Sequence, residues 1–262
     1  MALIEEMELQ GNKWFRYRSY IPLIFLVVGL GVFAYSAWKH LSVLEAYPLY
    51  KNVFENVCLA VSLLGLAIRI YTVGYTPANT SGRNTKDGQV ADELNTTGIY
   101  STVRNPLYLG NFLMWLGIAM LTANIWFIIS FCFLYWIYYE RIIFAEEQFL
   151  RRKFGDVYLE WTKVTPAFFP KFSRYKKPVY PFSWKKVLKK EKNGLAALFI
   201  VFAIFHITER LIGFYLPQTP GDAPMQFNYI TIGTVGCLVT CVLYLILKIL
   251  KTYTKVLDTE GR

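Results

Sequence analysis

Apolar residues fall into six long runs, at residues 20–38, 53–73, 107–121, 124–144, 194–216 and 229–250, with short charged segments between them. Runs of this length belong to a polytopic membrane protein rather than to a soluble domain. The fold expected is all-α, with about six hydrophobic helices and polar loops gathered at one membrane face. The third run covers 15 residues, about 22 Å of helix. That is short for a full span, so it is expected to begin below the headgroups or to form half of a central hairpin with the fourth run. Gly110 and Gly117, seven apart on one face, would let these two helices approach closely. The fourth run continues with apolar positions at Phe149, Leu150 and Phe154 until Gly155, a residue suited to ending a helix. A helix over 124–154 would be about 46 Å long and would project from the bilayer.

Residues 92–170 organise the rest. A polar loop feeds a helix at Asn105-Pro106, the chain reverses at Ala123-Asn124, and the returning helix carries Glu146 and Glu147 back toward Tyr100 and Arg104. Ahead of the first run, residues 1–19 mix glutamates with Trp14, Phe15, Arg16 and Arg18, a pattern for a short interfacial helix. That first run is not read as a cleaved signal, because it is long and no small-residue cleavage site follows it. The segment 171–192, basic and aromatic, is expected to lie along the membrane interface.

Charge sets an expected orientation. Lys and Arg number 28 against 18 Asp and Glu, a net charge of +10. The basic residues crowd 151–192 and recur at Lys248, Lys251 and Lys255, whereas 121–124 and 217–227 have none. The positive-inside rule then places both termini, the 74–106 loop and 145–193 in the cytoplasm, with 217–227 outside. Lys39 and Lys51, in or near the first external loop, fit this less cleanly. Nucleic-acid binding would account for the charge but not for six apolar segments. With a cytoplasmic loop, neither Asn79-Thr80-Ser81 nor Asn95-Thr96-Thr97 is read as glycosylated. The four cysteines all lie in apolar runs, with neither metal-ligand spacing nor a disulfide framework.

Several polar residues invite a choice between structure and chemistry. Asn105 is a good N-cap and Pro106 a good first helical residue, so the helix start beside Arg104 is a natural anion site. Taken alone it is equally a well-capped helix. Glu146-Glu147, taken alone, reads as a solvated pair leaving a membrane. Arg69, near the end of the second run, reads first as a side chain snorkelling to headgroups and second as facing a site. His206, Glu209 and Arg210 are costly in lipid, so they should satisfy one another or face a substrate or partner.

Two separated motifs carry a resemblance. Gly98-Ile99-Tyr100-x3-Arg104-Asn105-Pro106-x-Tyr108-x-Gly110 is followed, after the hairpin, by Glu146-Glu147-x2-Leu150-x3-Phe154-Gly155-x2-Tyr158. Together, over about 69–170, they resemble the isoprenylcysteine carboxyl methyltransferase and phospholipid methyltransferase families. The last two runs lie outside the likeness. The resemblance implies a membrane-embedded enzyme using S-adenosyl-L-methionine, divided into N-terminal membrane helices (1–68), a methyltransferase core (69–170) and a linker with two C-terminal helices (171–262). It implies cofactor contacts at Asp92, Glu93, Leu94, Asn95, Tyr100, Asn105, Pro106, Leu107, Tyr108 and Glu146. Arg104, Arg141 and Glu147 are the candidates for the acceptor side, with Arg141 the match for a substrate-binding arginine. Asn105 stands where the family often has histidine, and asparagine cannot titrate.

Methyl transfer from a sulfonium is an in-line displacement that mainly requires alignment. A carboxylate at Glu146 and rings at Tyr100 and Tyr108 suit a cationic, aromatic donor. With only two histidines in the chain, His40 and His206, both far from the motif in sequence, an acceptor that needs no base is favoured. The expected acceptor is an anionic oxygen, carboxylate or phosphate, on a lipid or lipidated substrate. Glu147 could still serve as a base for an amine, as in phospholipid N-methylation. A sterol-reductase-like NADPH oxidoreductase shares a similar Arg-x-Pro-x-Tyr-x-Gly hairpin, and a non-catalytic lipid-binding protein is a third reading.

Overall fold

Among the described residues there are seven α-helices, and each apolar run of the sequence becomes one of them. A computed structural model describes residues 2–39, 48–77, 83–85, 88–215 and 232–259. The helices are α1 (Leu3–Tyr17), α2 (Ile21–Trp38), α3 (Pro48–Tyr75), α4 (Pro106–Met120), α5 (Ile125–Val164), α6 (Trp184–Tyr215) and α7 (Ile232–Tyr253). Five of them, α2, α3, α5, α6 and α7, are long and apolar enough to cross a membrane, and α4 is the short apolar helix. Their outer faces leave Val27, Trp126, Phe133 and Leu238 more than 60% exposed, as a bundle solvated by lipid requires. The polar stretch after α3 has a little structure of its own: β1 (Arg83–Thr85) pairs antiparallel with β2 (Gly88–Val90), Asn84 opposite Gln89. The expected external loop 217–227, His40 and the Asn79 sequon lie outside the described residues.

Helix α4 fills the centre, but its closest neighbour is α3 and not α5. A Cβ on Gly117 would stand 2.2 Å from Ser62 Oγ and 2.3 Å from the Cys58 carbonyl. One on Gly65 would stand 2.4 Å from the Gly110 carbonyl, and one on Gly110 would stand 2.6 Å from Arg69 Cγ. The two glycines of α4 therefore serve a backbone-close α3–α4 contact. Large aromatic side chains, Phe112, Phe131, Tyr135 and Tyr139, occupy the α4–α5 seam instead. The reversal between the two is as expected: Ala123 takes φ 49°, and the Asn124 side chain accepts from Phe127 N at 3.0 Å. Near its far end α5 is broken at Gly155, whose φ of 53° with ψ −129° suits only glycine. The helix thus ends its straight course where the sequence predicts, and helical structure resumes to Val164.

Helix α1 packs on α5. Gly11 lies against the Arg141 carbonyl and Ala145, Tyr138 donates to the Trp14 carbonyl at 3.1 Å, and Arg152 holds Glu8 at 2.5 and 3.0 Å. The segment after α5 is also more than an interfacial linker. Residues 165–183 form a strap against the 98–104 turn, with Gly98 N donating to Lys176 O at 2.9 Å, Arg104 N to Pro166 O at 2.9 Å and Lys171 N to Thr102 O at 2.9 Å. The stretch 184–192 is already the start of α6.

Candidate functional site

The turn at Gly98 sets the geometry of the site. Its φ of 60° admits the reversal into a single 3-10 turn, Ile99–Ser101, from which Tyr100 projects. Five residues on, Pro106 opens α4 at its first turn. Asn105 occupies the N-cap position but does not cap with its side chain; its Nδ2 donates to Ala167 O at 3.0 Å and ties the helix start to the strap. The α4 N-terminus, Tyr100 and the projecting part of α5 then enclose a cavity of about 680 Å³.

Of the predicted residues, Tyr100, Arg104, Asn105, Leu107, Tyr108 and Glu146 line this cavity. Tyr108 and Glu146 stand close enough to interact electrostatically. Burial pushes the Tyr100 phenol well above its ordinary range, and the negative charge of Glu146 adds to the shift. Tyr100 is therefore a neutral donor at every physiological pH. Pro106 is buried behind the wall. Among the described residues of the loop before the turn, Ala91 alone reaches the cavity. Asp92 and Glu93 are exposed and Leu94 and Asn95 half-buried; Glu93 accepts from the Tyr180 hydroxyl at 2.9 Å, and Asn95 Nδ2 is buried without a partner among the described residues.

A second cavity, of about 730 Å³, lies between α4, α5 and the strap. Phe112, Cys132, Phe133, Trp136 and Phe168 give it an apolar wall. Arg104 lines both cavities, and Glu147 lines the apolar one. The two side chains form an ion pair at 3.0 Å, Tyr158 lies close enough to Glu147 to interact with it electrostatically, and Arg104 Nε and Glu147 Oε1 are both buried with no hydrogen-bond partner among the described residues. Glu146 and Glu147 are thus half-buried, each lining one cavity, and are not the solvated turn that they would form in isolation. Arg141 is not brought to either cavity; it stands on the α5 face that packs against α1.

The polar cavity also takes residues that no motif announced. Arg69 does not snorkel: it makes two bonds to Glu191, at 2.8 and 2.9 Å, and one to Asn111 at 2.6 Å. Arg18 and Ser19 enter from the end of α1, and Lys189–Asn193 and Lys251 enter from α6 and α7. The signal for Arg69 was its place in an otherwise apolar run. For the lysines only their crowding was visible. Elsewhere in the bundle, His206 and Glu209 find partners on α3, as His206 Nδ1 lies 3.8 Å from Glu55 and Glu209 binds Lys51. Glu55, His206 and Glu209 gather within 4.8 Å of one another, and because they come from different helices no sequence spacing could reveal them. Lys51 already supplies a cation there.

Residues 55–157 match the phospholipid methyltransferase family. The nickel-cobalt-cadmium resistance protein NccN of Alcaligenes xylosoxydans xylosoxydans is 34% identical over 34% of this chain and 41% of its own length. The cobalt-zinc-cadmium resistance protein CzcN of Cupriavidus metallidurans is 32% identical over 45% of this chain and 52% of its own. A protein-S-isoprenylcysteine O-methyltransferase of Schizosaccharomyces pombe is 38% identical over 29% and 32%. The chain spans about half or less of the length of these relatives. No solved structure matches the chain. The core of this membrane protein, residues 55–157, is thus similar to the phospholipid methyltransferases, and parts of the chain are similar to protein-S-isoprenylcysteine O-methyltransferases.

Proposed function

We propose that the protein is an S-adenosyl-L-methionine-dependent methyltransferase that transfers a methyl group to an anionic oxygen of a lipid or lipidated acceptor. The observation that carries this reading is the position of Arg104, at the boundary of a polar and an apolar cavity, with a buried donor still unclaimed. The residues of the polar cavity fit the cofactor. Glu146 offers a carboxylate to a cationic donor, the N-terminal amides of α4 offer hydrogen bonds, and Tyr100 and Tyr108 offer rings and hydroxyls. Bound there, the cofactor would supply the electrophilic methyl group. The apolar cavity suits an acyl or prenyl chain, whose head would pass Arg104 into the polar cavity.

Residues of this chain then have distinct tasks. Arg104 orients the acceptor oxygen by charge-assisted hydrogen bonds, and Glu147 positions the guanidinium while moderating its charge. That moderation matters, because the acceptor loses its negative charge as the methyl arrives, and too firm a grip on the anion would favour the ground state. Glu147 stands beside Arg104 at 3.0 Å, and its buried Oε1, which makes no hydrogen bond among the described residues, keeps a base for an amine as the second reading. The basic flanks support a cytoplasmic site by the positive-inside rule.

The test is the chemical fate of a labelled methyl group after the purified protein meets labelled donor and membrane lipid. A carboxyl ester releases methanol in mild base, and a phosphate ester resists it. Label recovered mainly on an amine would overturn the oxygen reading, and turnover of NADPH without methyl transfer would overturn the enzyme class.

A further inference from the structure

The α6 and α7 helices lie outside the segment that matches the family, yet they close one side of the polar cavity. They do so with lysines. Lys189, Lys190 and Lys192 come from the first part of α6, and Lys251 from the last turn of α7. Lys192 is only 7% exposed, and both Lys251 and Lys189 act on it electrostatically. Bringing like charges together in a partly buried wall is unfavourable unless something anionic offsets it. Two acids of this region are already engaged: Glu191 with Arg69, and Asp258 with Lys189 at 2.7 Å. Lys192 donates to the Lys189 carbonyl at 2.8 Å, and neither it nor Lys251 has an acidic partner among the described residues.

Depth adds a second constraint. The unbroken apolar part of α6 starts at Gly194, and that of α7 ends just before Lys248, so the wall stands where the two helices leave the hydrocarbon. This is the level of lipid phosphates. Ordinary flanking lysines at that level point outward to headgroups or water. These line a cavity that is open on one side, Lys192 buried in its wall and Lys251 exposed at its mouth, and the Arg69–Glu191 pair fixes α6 against α3.

We propose that the α6–α7 wall is a phosphate subsite, which selects an acceptor lipid bearing a phosphate monoester or a similarly charged headgroup. It rests on the methyltransferase reading only in calling that lipid the acceptor; the subsite itself is a binding claim. The lysines act as point charges with several donors each, suited to a tetrahedral phosphate approached from one side.

The test measures binding, without turnover. The full-length protein in detergent is titrated with phosphatidic acid, phosphatidylcholine and inorganic phosphate, and separately with S-adenosylhomocysteine. Phosphatidic acid should bind more tightly than phosphatidylcholine, and Lys192→Gln combined with Lys251→Gln should weaken it about tenfold. Lys192→Arg should retain most of the affinity, and Lys248→Gln, one turn from Lys251 and outside the cavity, should change nothing. Inorganic phosphate should not displace the lipid at equal concentration; if it does, the subsite serves a free anion and the lipid assignment fails. Equal affinity of the double variant and the unaltered protein for phosphatidic acid would overturn the proposal. So would a tenfold loss of S-adenosylhomocysteine affinity with lipid binding unchanged, which would hand the wall to the cofactor. Selective lipid binding without any S-adenosylhomocysteine binding would leave the subsite standing and sink the methyltransferase reading.

Discussion

The two cavities on either side of Arg104 are nearly equal in volume, about 680 and 730 Å³, and opposite in chemistry. The polar one is assembled from six parts of the chain: the end of α1, α3, the loop at Ala91, the Tyr100 turn with α4, the projecting part of α5, and the α6–α7 wall. The apolar one needs only α4, α5 and the strap, and its lining is dominated by aromatic and aliphatic side chains. One is therefore held by ion pairs between distant segments, and the other by ring packing within a hairpin. The reaction proposed needs both kinds of environment within reach of one side chain, and the Arg104–Glu147 pair is where they meet.

Breaking the polar cavity from behind should have the largest effect. Glu191→Ala leaves the Arg69 guanidinium without its carboxylate, a loss of about 3 kcal/mol for a buried pair. Thermal unfolding in detergent should fall markedly, and S-adenosylhomocysteine binding should fall with it. The apolar cavity, which takes no residue from α6, should keep its lipid-chain affinity. At the boundary, Arg104→Ala should lower turnover about a hundredfold, as expected for the loss of one charged group at the reacting atoms. Cofactor affinity should change little, and single-turnover kinetics separates the two.

Filling the apolar side should give the mirror image. Cys132→Phe narrows that cavity and should raise KM for a long-chain acceptor roughly fivefold, with S-adenosylhomocysteine affinity unchanged. The smallest effect belongs to the outer rim. Arg152 is 59% exposed in its pair with Glu8, so Glu8→Ala should cost less than about 1 kcal/mol in unfolding experiments and leave kinetics alone.

What was legible in the sequence follows from locality. The six apolar runs, the Ala123-Asn124 reversal and the break at Gly155 depend on neighbouring residues, and each appears where the pattern puts it. The motif residues Tyr100, Arg104, Tyr108 and Glu146 meet because a hairpin of fixed length returns α5 to the start of α4. Pairings across the bundle were not legible. Gly110 and Gly117 show that some helix comes close, but which one depends on where the Phe112, Phe131 and Tyr135 rings leave no room. Arg69 finds Glu191 across 122 residues of sequence, a contact with no local signal. Asn105 looked like a helix cap because its type and position fit, yet Ala167 O, supplied by the strap, claims its side chain instead.

The central claim is that the polar cavity holds the methyl donor and that Glu146 is part of its grip. Calorimetric titration of S-adenosylhomocysteine into the full-length protein tests it most directly. One site per chain is expected, with affinity lowered about tenfold by Glu146→Gln, the usual scale for a charged group's interaction, and little loss of thermal stability. Absence of binding, or an affinity that Glu146→Gln leaves unchanged, would contradict it.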